Sequence, residues 1–129
     1  MPITALIAAL LAPLYLLLTL RVVSQRRSAK VAIGDGGDKA LLRRGRVHAN
    51  FAETVPYALI LMGLAENLLT PRAVMYAIGV CLLAGRLSHA YGVSQDKENF
   101  SFRMAGMILT FAAIAIAALA CGNGVIGRL

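Results

Sequence analysis

Apolar residues fall in four runs along this chain, Ile3–Val23, Val55–Leu69, Ala73–Leu87 and Phe100–Cys121, divided by polar stretches. A helix needs roughly 20 residues to cross a bilayer, with about 17–25 as the working range. The first and fourth runs reach that length alone. The second and third reach it when their polar flanks are counted as the ends of longer helices. The pattern predicts an all-α integral membrane four-helix bundle in a single domain over residues 1–129, with spans at about 3–23, 46–69, 72–91 and 100–121. The opening MPITALIAALLAPLYLLLTL starts without a positive charge and runs longer than the ~7–15 apolar residues of a signal peptide, so we read it as the first span.

The connections refine this picture. After the first helix comes SQRRSAKVAIGDGGDKALLRR, whose GDGGD is a tight-turn signal: glycine tolerates left-handed backbone, and aspartate bonds its own backbone there. Asp38 is placed to cap a second helix running from about Lys39 to Asn67, longer than a bilayer requires, so its first half projects beyond the membrane. The short link NLLTPRA makes a hairpin of the second and third helices, with Pro71 suited to the first turn of the next helix. HAYGVSQDKENF reads as a polar loop, and the glycine-rich tail GNGVIGRL as frayed. No internal repeat, GxGxxG or phosphate-binding loop is present.

Composition agrees with a lipid-embedded chain. Of 129 residues, 59% are hydrophobic and 15% charged, against roughly 25% charged in average globular proteins. The formal net charge is +7, and its distribution matters more than its size. Eight cations, Arg21, Arg26, Arg27, Lys30, Lys39, Arg43, Arg44 and Arg46, lie between the first two spans. Arg86, Lys97 and Arg103 surround the third connection, while Arg72 and Arg128 lie on the opposite side. The positive-inside rule then puts both termini outside and the first and third loops in the cytoplasm of an inner membrane. Basic loops in this arrangement set topology and touch the headgroups of membrane lipids, so no nucleic-acid partner is expected. Cys81 and Cys121 sit in apolar helix without metal-ligand or redox spacing, so they read as small buried hydrophobes, and neither a disulfide nor a metal site is expected.

One helix face carries chemistry. Arg43, Arg46, Asn50, Glu53 and Tyr57 are spaced 3, 4, 3 and 4. At about 100° per residue they fall within an arc of roughly 80°. Burying Glu53 against lipid would cost at least a few kcal/mol, so it should face protein or a wet cavity and have a partner. Pro56 leaves the Ala52 carbonyl without its helical donor, adding an acceptor and a kink beside it. Two readings stay open: a salt bridge from Glu53 to Arg46 or to an arginine of another helix, or a ligand site. Arginine forks grip carboxylates and a buried carboxylate grips ammonium, so the ligand would be a zwitterion such as an amino acid or small peptide.

The run Arg46-Val-His-Ala-Asn50-Phe-Ala-Glu53-Thr-Val-Pro56 resembles the RxxxNxxExxP signature of the MAPEG family (membrane-associated proteins in eicosanoid and glutathione metabolism). The resemblance extends over essentially the whole chain, and GRLSHAYG looks most like small bacterial members. It implies a left-handed four-helix bundle assembled as a homotrimer, with glutathione bound between subunits near the cytoplasmic face. It also implies conjugation of glutathione to lipophilic electrophiles or reduction of lipid hydroperoxides. By the motif, Arg46 and Asn50 would contact the peptide backbone or carboxylates and Glu53 the γ-glutamyl ammonium. Arg43 matches a basic position before the motif, and Arg26 would reach a carboxylate across the interface. Arg103 resembles the arginine that stabilises the thiolate, or serves as a snorkelling anchor.

The third helix departs from the family pattern. Tyrosines are expected after its arginine, yet Arg86 is followed by His89, Tyr91 and Val93. His89 either replaces a tyrosine as donor in the glutathione site, alongside Arg86 and Tyr91, or caps the helix; Tyr57 lines a substrate cleft or is core. The function implied is a glutathione transferase, with or without peroxidase activity. The alternatives are a non-catalytic scaffold of the same fold and a small multidrug transporter. The transporter is disfavoured because its essential glutamate lies in the first helix, where this chain has no acidic residue.

Overall fold

A computed structural model describes residues 1–95 and 99–127. Four helices follow one another: α1 (Pro2–Ala29), α2 (Lys39–Asn67), α3 (Arg72–Ser94) and α4 (Phe100–Ile126). α2 and α3 each touch all the other helices, while α1 and α4 flank them and do not meet among the described residues. Met62, Met75, Ile78 and Leu82 are fully buried at the centre.

Three helices, α1, α3 and α4, are long and apolar enough to cross a membrane. α2 is not among them; its apolar run is expected to reach spanning length only with its polar flanks counted, and those flanks keep its composition too polar. Its 29 residues extend about 43 Å, ample for a hydrocarbon core of about 30 Å, but charge recurs along it from Arg43 to Glu66. α2 takes its apolar surroundings from the three helices packed on it.

Two other expectations change. His89–Ser94 belong to α3 rather than to a loop; the adjoining Asp96, Lys97 and Glu98 lie outside the described residues. The tail is helical through Ile126, because Gly124 packs against Leu68; Arg128 and Leu129 lie outside the described residues.

The reason for the longer α3 is its seam with α4. A Cβ on Gly92 would stand 2.6 Å from the Arg103 nitrogen, one on Gly85 2.9 Å from Thr110 Oγ1, and one on Gly106 2.5 Å from the His89 nitrogen. Glycine therefore lets the two backbones touch, the usual way helices associate where lipid competes for apolar contact. Ser88 Oγ reinforces the seam by donating to the Phe102 carbonyl at 2.8 Å, and the Asn99 N–H donates to the Gly92 carbonyl at 2.9 Å.

Caps fix the helix ends. Asp38 accepts from the Leu41 N–H at 2.7 Å and from Gln25 Nε2 at 3.1 Å, as the N-cap of α2. These bonds, the Leu41 one foremost, hold its carboxyl below the usual range. In the GDGGD turn before it, Gly34, Gly36 and Gly37 all take positive φ.

α1 has no side-chain cap of its own. Glu66, at the far end of α2, supplies one across space: it accepts from the Ile3 and Thr4 N–H groups at 2.9 Å each and from Thr4 Oγ1 at 2.7 Å. A carboxylate on three donors at a positive helix end is a strong tertiary tie. Glu66→Ala is expected to lower stability by about 1–3 kcal/mol, read as a lower thermal midpoint in detergent. An unshifted midpoint would remove Glu66 from the stabilising contacts.

Candidate functional site

At the basic end of the bundle, α2, α3 and α4 surround an open cavity of about 640 Å³. That lies within the roughly 300–1,000 Å³ usual for small-molecule sites. α2 lines it with Lys39, Leu42, Arg43, Arg46 and Asn50; α3 adds His89 and Val93, and α4 adds Arg103 and Met107. The residues from α2 recur every three or four positions, so they form one edge about 16 Å long. Among the described lining residues there are four cations and no acidic residue, which suits an anionic ligand. Met107, Leu42 and Val93 give it an apolar side.

Asn50 adds a specific request. Its Oδ1 is buried and accepts no hydrogen bond among the described residues, although the residue borders the cavity. An orphaned amide oxygen costs about 1–3 kcal/mol unless a donor reaches it. A peptide N–H is such a donor.

His89 is almost completely buried and stands in front of Arg86, whose NH2 approaches His89 Nδ1 at 3.1 Å. Guanidinium can only donate, so Nδ1 accepts and the ring proton belongs on Nε2. Arg86 itself is fully buried and does not line the cavity. Its NH1 reaches Thr54 Oγ1 at 3.3 Å and Thr110 Oγ1 at 3.5 Å, and its guanidinium lies 5.7 Å from the centre of the Phe51 ring. Thr54 in turn donates to the Asn50 carbonyl at 2.7 Å. The expected direct contact of Arg86 with a ligand is corrected: packing places it behind the site, linked to both His89 and Asn50. The i, i+3 spacing of Arg86 and His89 was the sequence signal for this pairing.

The other nominated residues lie outside the cavity. Glu53 is exposed on the outer face of α2, with no partner among the described residues, so neither a salt bridge to Arg46 nor an enclosed site forms within one chain. The physical reason is the stripe's direction: by Glu53 and Tyr57 (56% exposed) it points away from the bundle. Arg26 donates to the Ala32 and Gly34 carbonyls, at 3.3 and 2.8 Å, and so pins the α1–α2 loop. Tyr91 is exposed and meets the Phe102 ring edge-on at 5.2 Å, on the outside of the α3–α4 seam. Lys39, Leu42, Val93 and Met107 join the site without having been nominated; only the assembled three-helix corner identifies them.

The sequence profile of the MAPEG family matches residues 4–123. The chain is also 36% identical over 118 residues to the inner membrane protein YecN of Escherichia coli K12, a match covering 92% of this chain and 88% of that protein. The same figures hold for YecN of E. coli O6:H1. With its helices, its RxxxNxxExxP run and a match over nearly its whole length, the chain belongs to the MAPEG family and is a membrane protein of that family.

Proposed function

We propose that this protein is a glutathione-dependent transferase, with peroxidase capacity, acting on lipophilic substrates that enter from the bilayer. The observation that carries this reading is the cationic cavity with the buried, unpartnered Asn50 Oδ1 on its wall. Glutathione brings two carboxylates for Arg43 and Arg46, peptide N–H groups for Asn50, and a thiol for the Arg103 end. Its ammonium needs an anion, and Glu53 is the acid of the same stripe. Because Glu53 faces outward, the site closes between subunits of a homotrimer, where Arg26 of a neighbour also comes within reach. The positive-inside rule sets this end in the cytoplasm and the termini outside.

The chemistry asked of the protein is activation of the thiol. The thiolate sulfur attacks the electrophilic carbon, a C–S bond forms, and the leaving group departs with the electrons of its bond. With a hydroperoxide, two glutathiones supply two electrons and two protons, giving the disulfide, an alcohol and water. His89 Nε2–H is a donor suited to the oxygen on which negative charge develops.

The test is calorimetric titration of the detergent-solubilised protein with glutathione, repeated for Arg46→Ala and Glu53→Gln. Binding lost in both variants with the trimer intact supports the reading. Absence of binding to the unaltered protein, or trimers that fall apart in the variants, would leave the stripe as bundle chemistry.

A further inference from the structure

A second, smaller cavity of about 70 Å³ lies at the same end of the bundle, between α1, α2 and α3. Leu18, Val47 and Val93 form its buried apolar floor, and Arg21, Arg43, Arg44 and Ser94 surround it. Among the described residues no carboxylate lines it. One water occupies roughly 10–15 Å³ on this measure, so there is room for a phosphate-sized group.

Arg21 and Arg44 are held in place yet sparsely used. Arg21 NH1 donates to Ser94 Oγ at 2.9 Å, and Arg44 NH1 donates to the Arg21 carbonyl at 3.3 Å. Each is thus anchored through one of its five N–H donors, and its protein partner is a neutral oxygen. Arg43 donates to the Gln95 carbonyl at 2.6 Å on the third wall. Arg44 helps, as a minor cause, to lower the Asp38 carboxyl, but the oxygens of Asp38 already serve Leu41 and Gln25. Anchored guanidinium forks around a pocket match the geometry of a phosphate better than that of a point cation.

We infer that this pocket binds a phosphate group, and that its source is an anionic phospholipid at the bilayer surface. The pocket sits where the basic end of α1 leaves the apolar run, at headgroup depth, and basic pockets between membrane helices are built for such headgroups. The described lining residues include no carboxylate and offer nothing to the ammonium of phosphatidylethanolamine, so the preference is for phosphatidylglycerol or cardiolipin. The pocket shares Arg43 and Val93 with the larger cavity, but Arg21 and Arg44 have no part in the glutathione reading, and the phosphate site stands if that reading fails.

Native mass spectrometry of the detergent-solubilised protein with added phosphatidylglycerol, phosphatidylethanolamine or phosphatidylcholine tests it. The unaltered protein should retain phosphatidylglycerol about tenfold better than the other two, the value of one charge-assisted hydrogen bond. The preference should vanish in Arg21→Gln/Arg44→Gln and persist in Arg27→Gln/Lys30→Gln, which removes equal charge from the same connection. Should the first double variant fail to fold, Arg44→Lys keeps the charge but lacks the fork, and should still lose most of the preference. Equal losses in both double variants would overturn the site in favour of net charge. Saturable binding of inorganic phosphate with no preference among lipids would overturn the lipid assignment.

Discussion

Gly106→Leu will cost about 3–5 kcal/mol, near the upper limit for a single substitution. Even the first carbon of a side chain would stand 2.5 Å from the His89 nitrogen and 2.7 Å from the Gly85 carbonyl oxygen. Both obstacles are backbone, so no rotamer change relieves them and the helices must separate. Separation also draws Arg103 and Met107 on α4 away from His89 and Val93 on α3, opening the larger cavity along its seam. Gly106→Ala should show the same effect at smaller size. Gly122→Ala is the contrast: nothing lies within 4 Å of its Cβ, so the loss of backbone freedom in the unfolded chain should leave stability unchanged or raised by about 0.5–1 kcal/mol. Unfolding in graded denaturant, with ligand binding measured alongside, checks both. Equal stability of the Gly106 and Gly122 variants would mean that α3 and α4 do not pack through their glycines.

On the proposed glutathione function, Arg103→Ala is expected to reduce the thiolate signal of added glutathione about tenfold at pH 7. A free thiol with a pKa near 8.5 is only a few per cent ionised there. A guanidinium at the first turn of α4, aided by the helix dipole, can lower that value by about one or two units, which makes much of the bound thiol anionic. The sign follows directly: a lowered thiol pKa keeps the thiolate present to lower pH, and the variant should regain its ultraviolet thiolate band only as pH rises towards 8.5. The rate should fall less than the band. Thiolate nucleophilicity declines with pKa, with a Brønsted slope of about 0.4–0.5, so ionisation alone accounts for only about threefold at pH 7. A larger loss of rate would assign Arg103 a share in positioning. Identical spectra from pH 6 to 9 in both proteins would remove Arg103 from thiol activation.

Much of this molecule is written in its apolar spacing and its turn residues. The GDGGD turn, the Asp38 cap and the start of α2 at Lys39 each follow from local chemistry, where a residue and its partner are three or four positions apart. The continuation of α3 to Ser94 does not. Gly92 looks like a loop residue until α4 is laid against it, and then it is the residue that permits contact. Arg86 was misjudged for a related reason. The family resemblance grouped it with His89 and Tyr91 in the ligand site, whereas Thr54, Thr110, Phe51 and His89 from three helices enclose it. Arg43, Arg46, Asn50 and the third-helix His89 meet Arg103 in one cavity, but Glu53 could be followed only to the outer surface. A helical wheel gives the direction of a stripe, not what stands opposite it.

The tie between Glu66 and the start of α1 bears on how the chain enters its membrane. Ile3 and Thr4 stand some sixty residues from Glu66, yet their contact requires both helix ends to arrive on the same side of the bilayer. A carboxylate passing the bilayer centre costs about 2.5–3.5 kcal/mol on insertion scales. Travelling alone, α2 would meet that barrier with little apolar length to offset it. Paired with α1, which is far more apolar, it can cross as a helical hairpin, with the acid docking onto waiting amide groups on arrival.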